Sequence, residues 1–290
     1  MRTRLFSDLH ISCQNNLEDV DESLARAGLK DKGFSSYEAM RDFYYEEYIK
    51  SFFQQRSDLY VSLGDLTNTG DSNEYELINK LIEKHGQDKK FLSLLGNHDT
   101  YVQNKEEVIN NYRMERYGSI SAAGICVIYL DSTRERSMTD WSGVIDDEQL
   151  YWLKETLSTT QDKTAVVFSH HPVYGTTDAS TEEKASIVPD SSIKEVVESY
   201  KGKGYFFNGH THVESIVEIE NWHYIQIGSV LDQSLIRNIE IDNNGIEIST
   251  ESLDENYKEI GLWLSGVLDH YEYNVRNYNG DENRHLSYKK

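Results

Sequence analysis

Proline and cysteine are nearly absent from this chain, with two of each among 290 residues. The two cysteines, Cys13 and Cys126, cannot form a disulfide framework for so long a chain. Cys126 sits in an apolar stretch and reads as a small buried hydrophobe. So little proline, with only 18 glycines, excludes long disordered linkers. Long hydrophobic runs are also missing: none approaches the roughly 18 residues that a membrane-spanning helix needs. The first strand begins at residue 2, which leaves no room for a signal peptide. A cytoplasmic protein with no membrane partner is expected. Positive charge is the last shortage. Against 50 Asp and Glu stand 29 Lys and Arg, giving a formal charge of -21. Long duplex nucleic acid needs a basic stripe to replace its counterions, and the short pairs Lys89-Lys90 and Lys289-Lys290 do not make one. Between residues 238 and 272, nine carboxylates accompany one base, Lys258. This acidity reads as a device for solubility.

What is present is an alternation of strands and helices. The length suits one large α/β domain or a domain with appendages, and a hydrophobic fraction of 38%, helped by 20 tyrosines, suffices for a core. Apolar strands are expected at residues 2–7, 59–63, 91–95, 124–130, 164–168 and 205–207. Ser35-Ser36-Tyr37-Glu38 reads as a capping box with Ser35 as the cap. The helix it opens carries Tyr37, Met40, Tyr44, Tyr48 and Phe52 on one face, a core-packing stripe. Asp71 with Glu74 caps a second helix, and others are expected over 103–117, from Asp146, and over 191–200. Beyond residue 212 the strands run consecutively. A hairpin is expected at 216–219 and 224–227, then strands 239–241 and 246–248 around Asn244-Gly245, a type I′ turn signal. A last helix from about residue 252 docks on the body and frays after 274. The pattern predicts a four-layer α-β-β-α sandwich, two packed mixed sheets flanked by helices. The expected division is a catalytic domain over 1–250, with 11–57 as a helical insert or lid, and an acidic helical extension over 251–290.

Five strand ends carry the chemistry. They read Asp8-Leu9-His10, Gly64-Asp65-Leu66-Thr67-Asn68, Gly96-Asn97-His98-Asp99, His170-His171-Pro172 and Gly209-His210-Thr211-His212. In such sheets ligands gather outside the carboxyl ends of the strands, so five ends can supply one spot. Asp8 and His10 stand two apart, share a side if the strand pleat persists, and can hold one metal. Asp65 can bridge two ions, Asn97 offers a neutral carbonyl oxygen, and His170, His210 and His212 offer ring nitrogens. Glycine precedes Asp65, Asn97 and His210, permitting the sharp turns that aim them. Mixed oxygen and imidazole donors suit Mn, Fe or Zn better than Ca, and no thiolate stands among them to make a sulfur-rich zinc site. Two ions about 3.5–4 Å apart polarise a phosphate ester and acidify a bridging water, whose hydroxide attacks phosphorus in line. His98 is not needed as a ligand and is free to protonate the leaving oxygen, while Asp99 can orient His98 or support the ligands from behind.

The remaining candidates weigh differently. His85, His171, His223, His270 and His285 read as ordinary polar residues, Asp131 as a turn former and Asn68 as a turn stabiliser. Arg134, Arg136 and Trp141 share one loop and Tyr174 stands in another. An arginine there could clamp a phosphate and an aromatic could stack on a base, which makes Arg134, Trp141 and Tyr174 candidate substrate contacts.

The ordered set resembles the calcineurin-like metallophosphoesterase superfamily over roughly residues 4–250, with motif spacing most like the class III cyclic-nucleotide phosphodiesterases. The resemblance implies a first metal site of Asp8, His10, Asp65 and His212, a second of Asp65, Asn97, His170 and His210, and His98 as the catalytic histidine. His170 is preferred to His171 because the family ligand precedes the proline by two residues. The expected function is dinuclear metal-dependent hydrolysis of a small phosphodiester such as a cyclic nucleotide. A phosphomonoesterase, a short single-strand nuclease and a non-catalytic scaffold stand as alternatives.

Overall fold

The computed structural model describes residues 1–13, 32–112, 114–122, 124–189, 192–242, 245–272 and 284–289. Two six-stranded sheets form its centre. In the first, β1 (Arg2–Phe6) runs parallel to β2 (Leu59–Ser62), and β2 runs parallel to β3 (Phe91–Ser93). On its other side β1 pairs antiparallel with β10 (Leu235–Asp242), which is followed outward by β11 (Gly245–Ser252) and β12 (Leu286–Lys289). The second sheet has the order β4 (Gly118–Ala122), β5 (Ile125–Tyr129), β6 (Thr164–Phe168), β7 (Gly204–Asn208), β9 (Trp222–Gln226) and β8 (Ser215–Ile219). Its middle four strands are parallel and its two edge strands antiparallel.

Side-chain alternation sorts the layers. In β1, Leu5 points between the sheets and joins Val61, Val127, Val166, Phe207 and Ile239, whereas Phe6 points outward. Phe6 meets α1 (Tyr37–Gln54), which packs with α2 (Ser72–Gly86) on the outer face of the first sheet. Next along the chain come α3 (Lys105–Tyr112), then α4 (Asp147–Ser158) and α5 (Ile193–Ser199), which cover the second sheet through Leu153, Leu157, Val196 and Val197. The short α6 (Val230–Gln233) and the C-terminal α7 (Glu255–Ser265) complete the first helical layer. The expected four-layer sandwich is the fold. Among the described residues no helix is long and apolar enough to cross a membrane.

Several boundaries differ from expectation. Ser36, not Ser35, caps α1: it takes the extended conformation and accepts from Ala39 N at 3.2 Å. Asp71 and Glu74 form the expected capping box, and Glu74 also accepts from Thr69 N at 2.8 Å, tying the loop after β2 to α2. The helix expected over 103–117 stops at Tyr112. Residues 118–122 form the edge strand β4 instead, whose Gly, Ser and Ala content gives little strand signal. Residues 286–289 add a strand to the first sheet where fraying was expected. Residues 14–31, Asn244 of the expected turn and residues 273–283 lie outside the described set.

α7 sits unusually close to its neighbours. A Cβ on Gly261 would lie 2.7 Å from Leu231 O and 2.8 Å from the Tyr44 hydroxyl. Gly261→Val should therefore destabilise the protein by roughly 1–3 kcal/mol through overpacking. Urea denaturation checks this: a wild-type midpoint for the variant would show that α7 has room to move.

Candidate metal centre

The pleat of β1 breaks after Phe6. Asp8 and His10 take left-handed backbone conformations, with φ of 57° and 47°. The expectation that they share one side of a continued strand is therefore corrected. Two left-handed residues flank buried Leu9, and both of their side chains are fully buried. Asp65, His210 and His212 are also left-handed, at 48°, 73° and 57°. L-residues rarely adopt this region, and each instance costs of order 1–3 kcal/mol unless the surroundings enforce it. Here they do. Asp8 N donates to Gly64 O at 3.1 Å, His10 N to Asp65 O at 3.0 Å and Ile11 N to Leu66 O at 3.0 Å, zipping the two loops together.

The seven residues expected as ligands come together. Asp8, His10 and His212 each place a donor atom within 4.8 Å of the others, as do Asp8, Asp65 and His170. His10 Nε2 lies 3.4 Å from His212 Nε2 and 3.8 Å from Asp65 Oδ2. His170 Nε2 lies 3.2 Å from Asn97 Oδ1 and 3.3 Å from Asp65 Oδ2. His210 stands beside His170, with ring centroids 5.1 Å apart. Two donors bound to one ion at roughly 2.0–2.2 Å stand about 3–4 Å apart, so these separations suit shared ions.

Hydrogen bonds on the far side of four of the rings decide which atom faces inward. His170 Nδ1 donates to Leu63 O at 3.0 Å, His98 Nδ1 to Asn68 O at 2.7 Å and His212 Nδ1 to Glu272 O at 3.0 Å. His210 is turned the other way, with Nε2 donating to Lys184 O at 3.2 Å, which leaves Nδ1 as its available donor atom. Asn97 Nδ2 donates to the Tyr101 hydroxyl at 2.8 Å, so its carbonyl oxygen is the atom beside His170. Lone pairs thus face lone pairs and carboxylates, an arrangement that a cation completes. Protons can take that place. Burial alone would lower His170 and His212, but Asp65 and Asp8 outweigh it and raise both to about 9. Burial likewise opposes charge on Asp65, yet His170 and His98 hold its carboxyl well below the usual range. Burial drives His10 and His98 down, and burial with His170 takes His210 to about 3.

Asp99 is not the partner of His98. Its carboxylate accepts from Thr67 N at 2.8 Å, Thr67 Oγ1 at 2.7 Å and Gly96 N at 2.9 Å. It clamps the loops that carry Asp65 and Asn97, while burial and Asp65 push its own pKa up to about 7. The Asn68 carbonyl orients His98 instead. His171, read as an ordinary polar residue, is satisfied as one but packs against the cluster. Both its nitrogens are engaged, Nδ1 with Ser132 Oγ at 2.8 Å and Nε2 with Trp141 O at 2.9 Å, and its ring lies 4.2 Å from that of His210. Tyr101, Ser132 and Glu272 were missed, since a backbone carbonyl or a lone hydroxyl leaves no motif in a sequence. Asp131 stands apart, paired with Lys105 at 2.9 Å and Arg116 at 3.0 Å.

A cleft of about 560 Å³ opens over the cluster, lined by Asp65, Asn97, His98, His210 and His212 together with Tyr101, Met138, Trp141, Glu182, Glu183, His270 and Glu272 among others. Of the expected substrate contacts, Trp141 lines it. Arg134 instead bonds Ser142 O at 3.0 Å and pairs with Asp140 at 3.3 Å, and Tyr174 is not among the lining residues. The described part of 11–57 does not line the cleft either, and Tyr45 of α1 supports the site from the core by donating to His10 O at 2.8 Å.

Close backbone approach, rather than turn geometry alone, explains one of the glycines. A Cβ at Gly96 would fall 2.1 Å from Asp65 Oδ1. Gly96→Ala should cost about 1–3 kcal/mol of stability through overpacking, read by urea denaturation. An unchanged midpoint would mean that the Asp65 backbone, which the Cβ would meet at 2.3 Å, and its carboxylate are both free to shift aside.

Comparisons with known proteins bear on the fold and the family. The model of the family described as calcineurin-like phosphoesterase matches residues 1–214. A probable glycerophosphodiester phosphodiesterase GpdQ from Arcobacter nitrofigilis is 30% identical over 121 residues, 40% of this chain and 42% of the relative's length. The match thus spans less than half of that protein. Among solved structures, a dimetal phosphatase from Danio rerio superposes with a TM-score of 0.63 at 13% identity, covering 87% of this chain and 95% of its own. GAP50, titled the anchor in the inner membrane complex of Plasmodium, gives 0.52 at 12% identity, covering 94% and 96%. At these identities the structures speak for the fold alone. The family match over residues 1–214 speaks for more: this chain belongs to the calcineurin-like phosphoesterases.

Proposed function

We propose that the protein is a dinuclear metal-dependent phosphodiesterase acting on a small phosphodiester. The observation that carries the reading is the convergence of Asp8, His10, Asp65, Asn97, His170, His210 and His212 beside His98. Asp8, His10, Asp65 and His212 would hold one ion; Asp65, Asn97, His170 and His210 would hold the other. Divalent ions there would polarise the phosphoryl group and lower the pKa of bound water. Mn, Fe or Zn fits the oxygen and imidazole donors.

The chain's own residues do the rest. His98 is fixed by its Nδ1–H bond to Asn68, so Nε2 is the nitrogen left to meet a substrate. An anionic phosphoryl group beside Nε2 favours the protonated ring, the state needed to pass a proton to the leaving oxygen. His10 and Tyr101 both pack against His98, with ring centroids 4.5 Å away in each case, and hold it in place. Trp141 offers a ring at the cleft wall.

Two observations favour a diester over a monoester. Among the described residues lining the cleft there is no Lys or Arg, although Lys184 Nζ stands 4.3 Å from the Trp141 ring centroid, while Glu182, Glu183 and Glu272 are present. A doubly charged monoester meets repulsion there that a singly charged diester meets less. The related sequence from Arcobacter nitrofigilis, named as a glycerophosphodiester phosphodiesterase, points the same way, and a cyclic nucleotide is a second compact diester of the right charge.

With Mn²⁺ added, bis(4-nitrophenyl) phosphate should be hydrolysed faster than 4-nitrophenyl phosphate, and prior chelation should abolish both activities. His98→Ala should lower kcat about 10²–10⁴-fold with metal content unchanged. Faster turnover of the monoester would make the protein a phosphomonoesterase. No hydrolysis with any of Mn²⁺, Fe²⁺, Zn²⁺ or Co²⁺ would sink the catalytic reading.

A further inference from the structure

The C-terminal extension returns to the metal centre. α7 ends at Ser265, and residues 269–272 then run alongside the ligand loops. Asp269 O accepts from Asn68 Nδ2 at 3.2 Å, and Asn68 is the residue whose own carbonyl orients His98. The Tyr271 ring stacks on His212, with centroids 4.8 Å apart and planes 29° from parallel. It meets His10 edge-on at 4.9 Å and 89°. Glu272 O accepts from His212 Nδ1 at 3.0 Å. The Tyr271 hydroxyl stands 2.5 Å from Asp232 Oδ1 and 2.7 Å from Ser229 Oγ, at the start of α6. Ser229 Oγ in turn donates to Asp8 O at 2.8 Å.

We infer that residues 269–272 form a strap that positions the ligands of one ion and not the other, with Tyr271 as its positioning residue. The inference rests on the dinuclear reading above. The direct contacts with ligands fall on one side. His212 and His10 touch the Tyr271 ring, and Asp8 is reached through Ser229. Among the described contacts, Asn97, His170 and His210, which belong to the second proposed site alone, touch no strap residue directly; the one link is distant, from the His270 ring to that of Tyr101 at 6.3 Å, whose hydroxyl accepts from Asn97. The Glu272 carbonyl sets the His212 tautomer by taking Nδ1–H, which leaves Nε2 to face Asp8 and His10. The Tyr271 ring fixes the rotation of His212 and shields His10 from water. The strap lies beyond the 1–214 span of the family match, so this chain adds a support that the match does not include.

Groups of this kind behind metal ligands contribute about 10–100-fold to metal affinity. The test uses the full-length protein, stripped of metal and titrated with Mn²⁺ by calorimetry, as wild type, Tyr271→Phe and Tyr271→Ala. Melting temperatures of the metal-free forms are measured alongside. Tyr271→Ala should weaken one of two binding events about tenfold and leave the other unchanged. Tyr271→Phe keeps the ring and loses the hydroxyl contacts, so it should weaken the same event less. Two unchanged events in Tyr271→Ala would overturn the strap. So would an equal weakening of both with a fall in the metal-free melting temperature, because that pattern means a general structural role. A wild type that binds no divalent ion would overturn the dinuclear reading and the strap with it, whereas two events in wild type leave the strap to stand or fall on the variants.

Discussion

Acceptor atoms facing acceptor atoms inside a buried site are the constraint on which this structure depends. His170 Nε2 lies 3.2 Å from Asn97 Oδ1 and 3.3 Å from Asp65 Oδ2, and each is held there by a bond on its far side or by the loop behind it. Such a cluster is unfavourable by itself, because buried charge and buried lone pairs lack the water that would solvate them. Its persistence requires a scaffold that leaves the side chains no alternative. The backbone bonds between the β1 and β2 loops and the Asp99 clamp supply that scaffold.

The five left-handed residues belong to the same bargain between stability and function. Asp8, His10, Asp65, His210 and His212 could all be relaxed by a different backbone path, but that path would turn their donor atoms out of the cluster. Strain of this sort is stored where geometry must be fixed before a ligand arrives. The helical layer shares in the support. Tyr45 holds the His10 carbonyl, and Glu74 ties the loop after β2 to the helix that follows.

Much of this was legible in the sequence, and the parts that were not share a cause. The strand ends carrying Asp8, Asp65, Asn97, His170 and His210 announced themselves because apolar runs stop abruptly at polar residues able to bind metal. Strand 164–168 and the capping box at Asp71 followed from local pattern alone. β4, α6 and β12 did not, since four or five residues with little periodicity leave tertiary pairing to decide. Of the two roles open to Asp99, the structure takes the support of the ligand loops, because the turn at 98–100 points it and His98 to different neighbours. The roles of the Asn68, Lys184 and Glu272 carbonyls were invisible, for every residue has a carbonyl and only the fold aims it.

The place of β1 has a consequence for how the protein is made. β1 is an interior strand of its sheet, and its antiparallel neighbour places Arg2 opposite Glu240. On a ribosome, β1 is made long before this partner emerges. Until then β1 and β2 present an unpaired edge, the kind of surface that chaperones cover and that drives misassociation. Contacts so distant in sequence also make for slow folding. Asp8 and His10 sit at the end of this waiting strand and His212 follows some two hundred residues later, so the site can close only once both distant segments have been made.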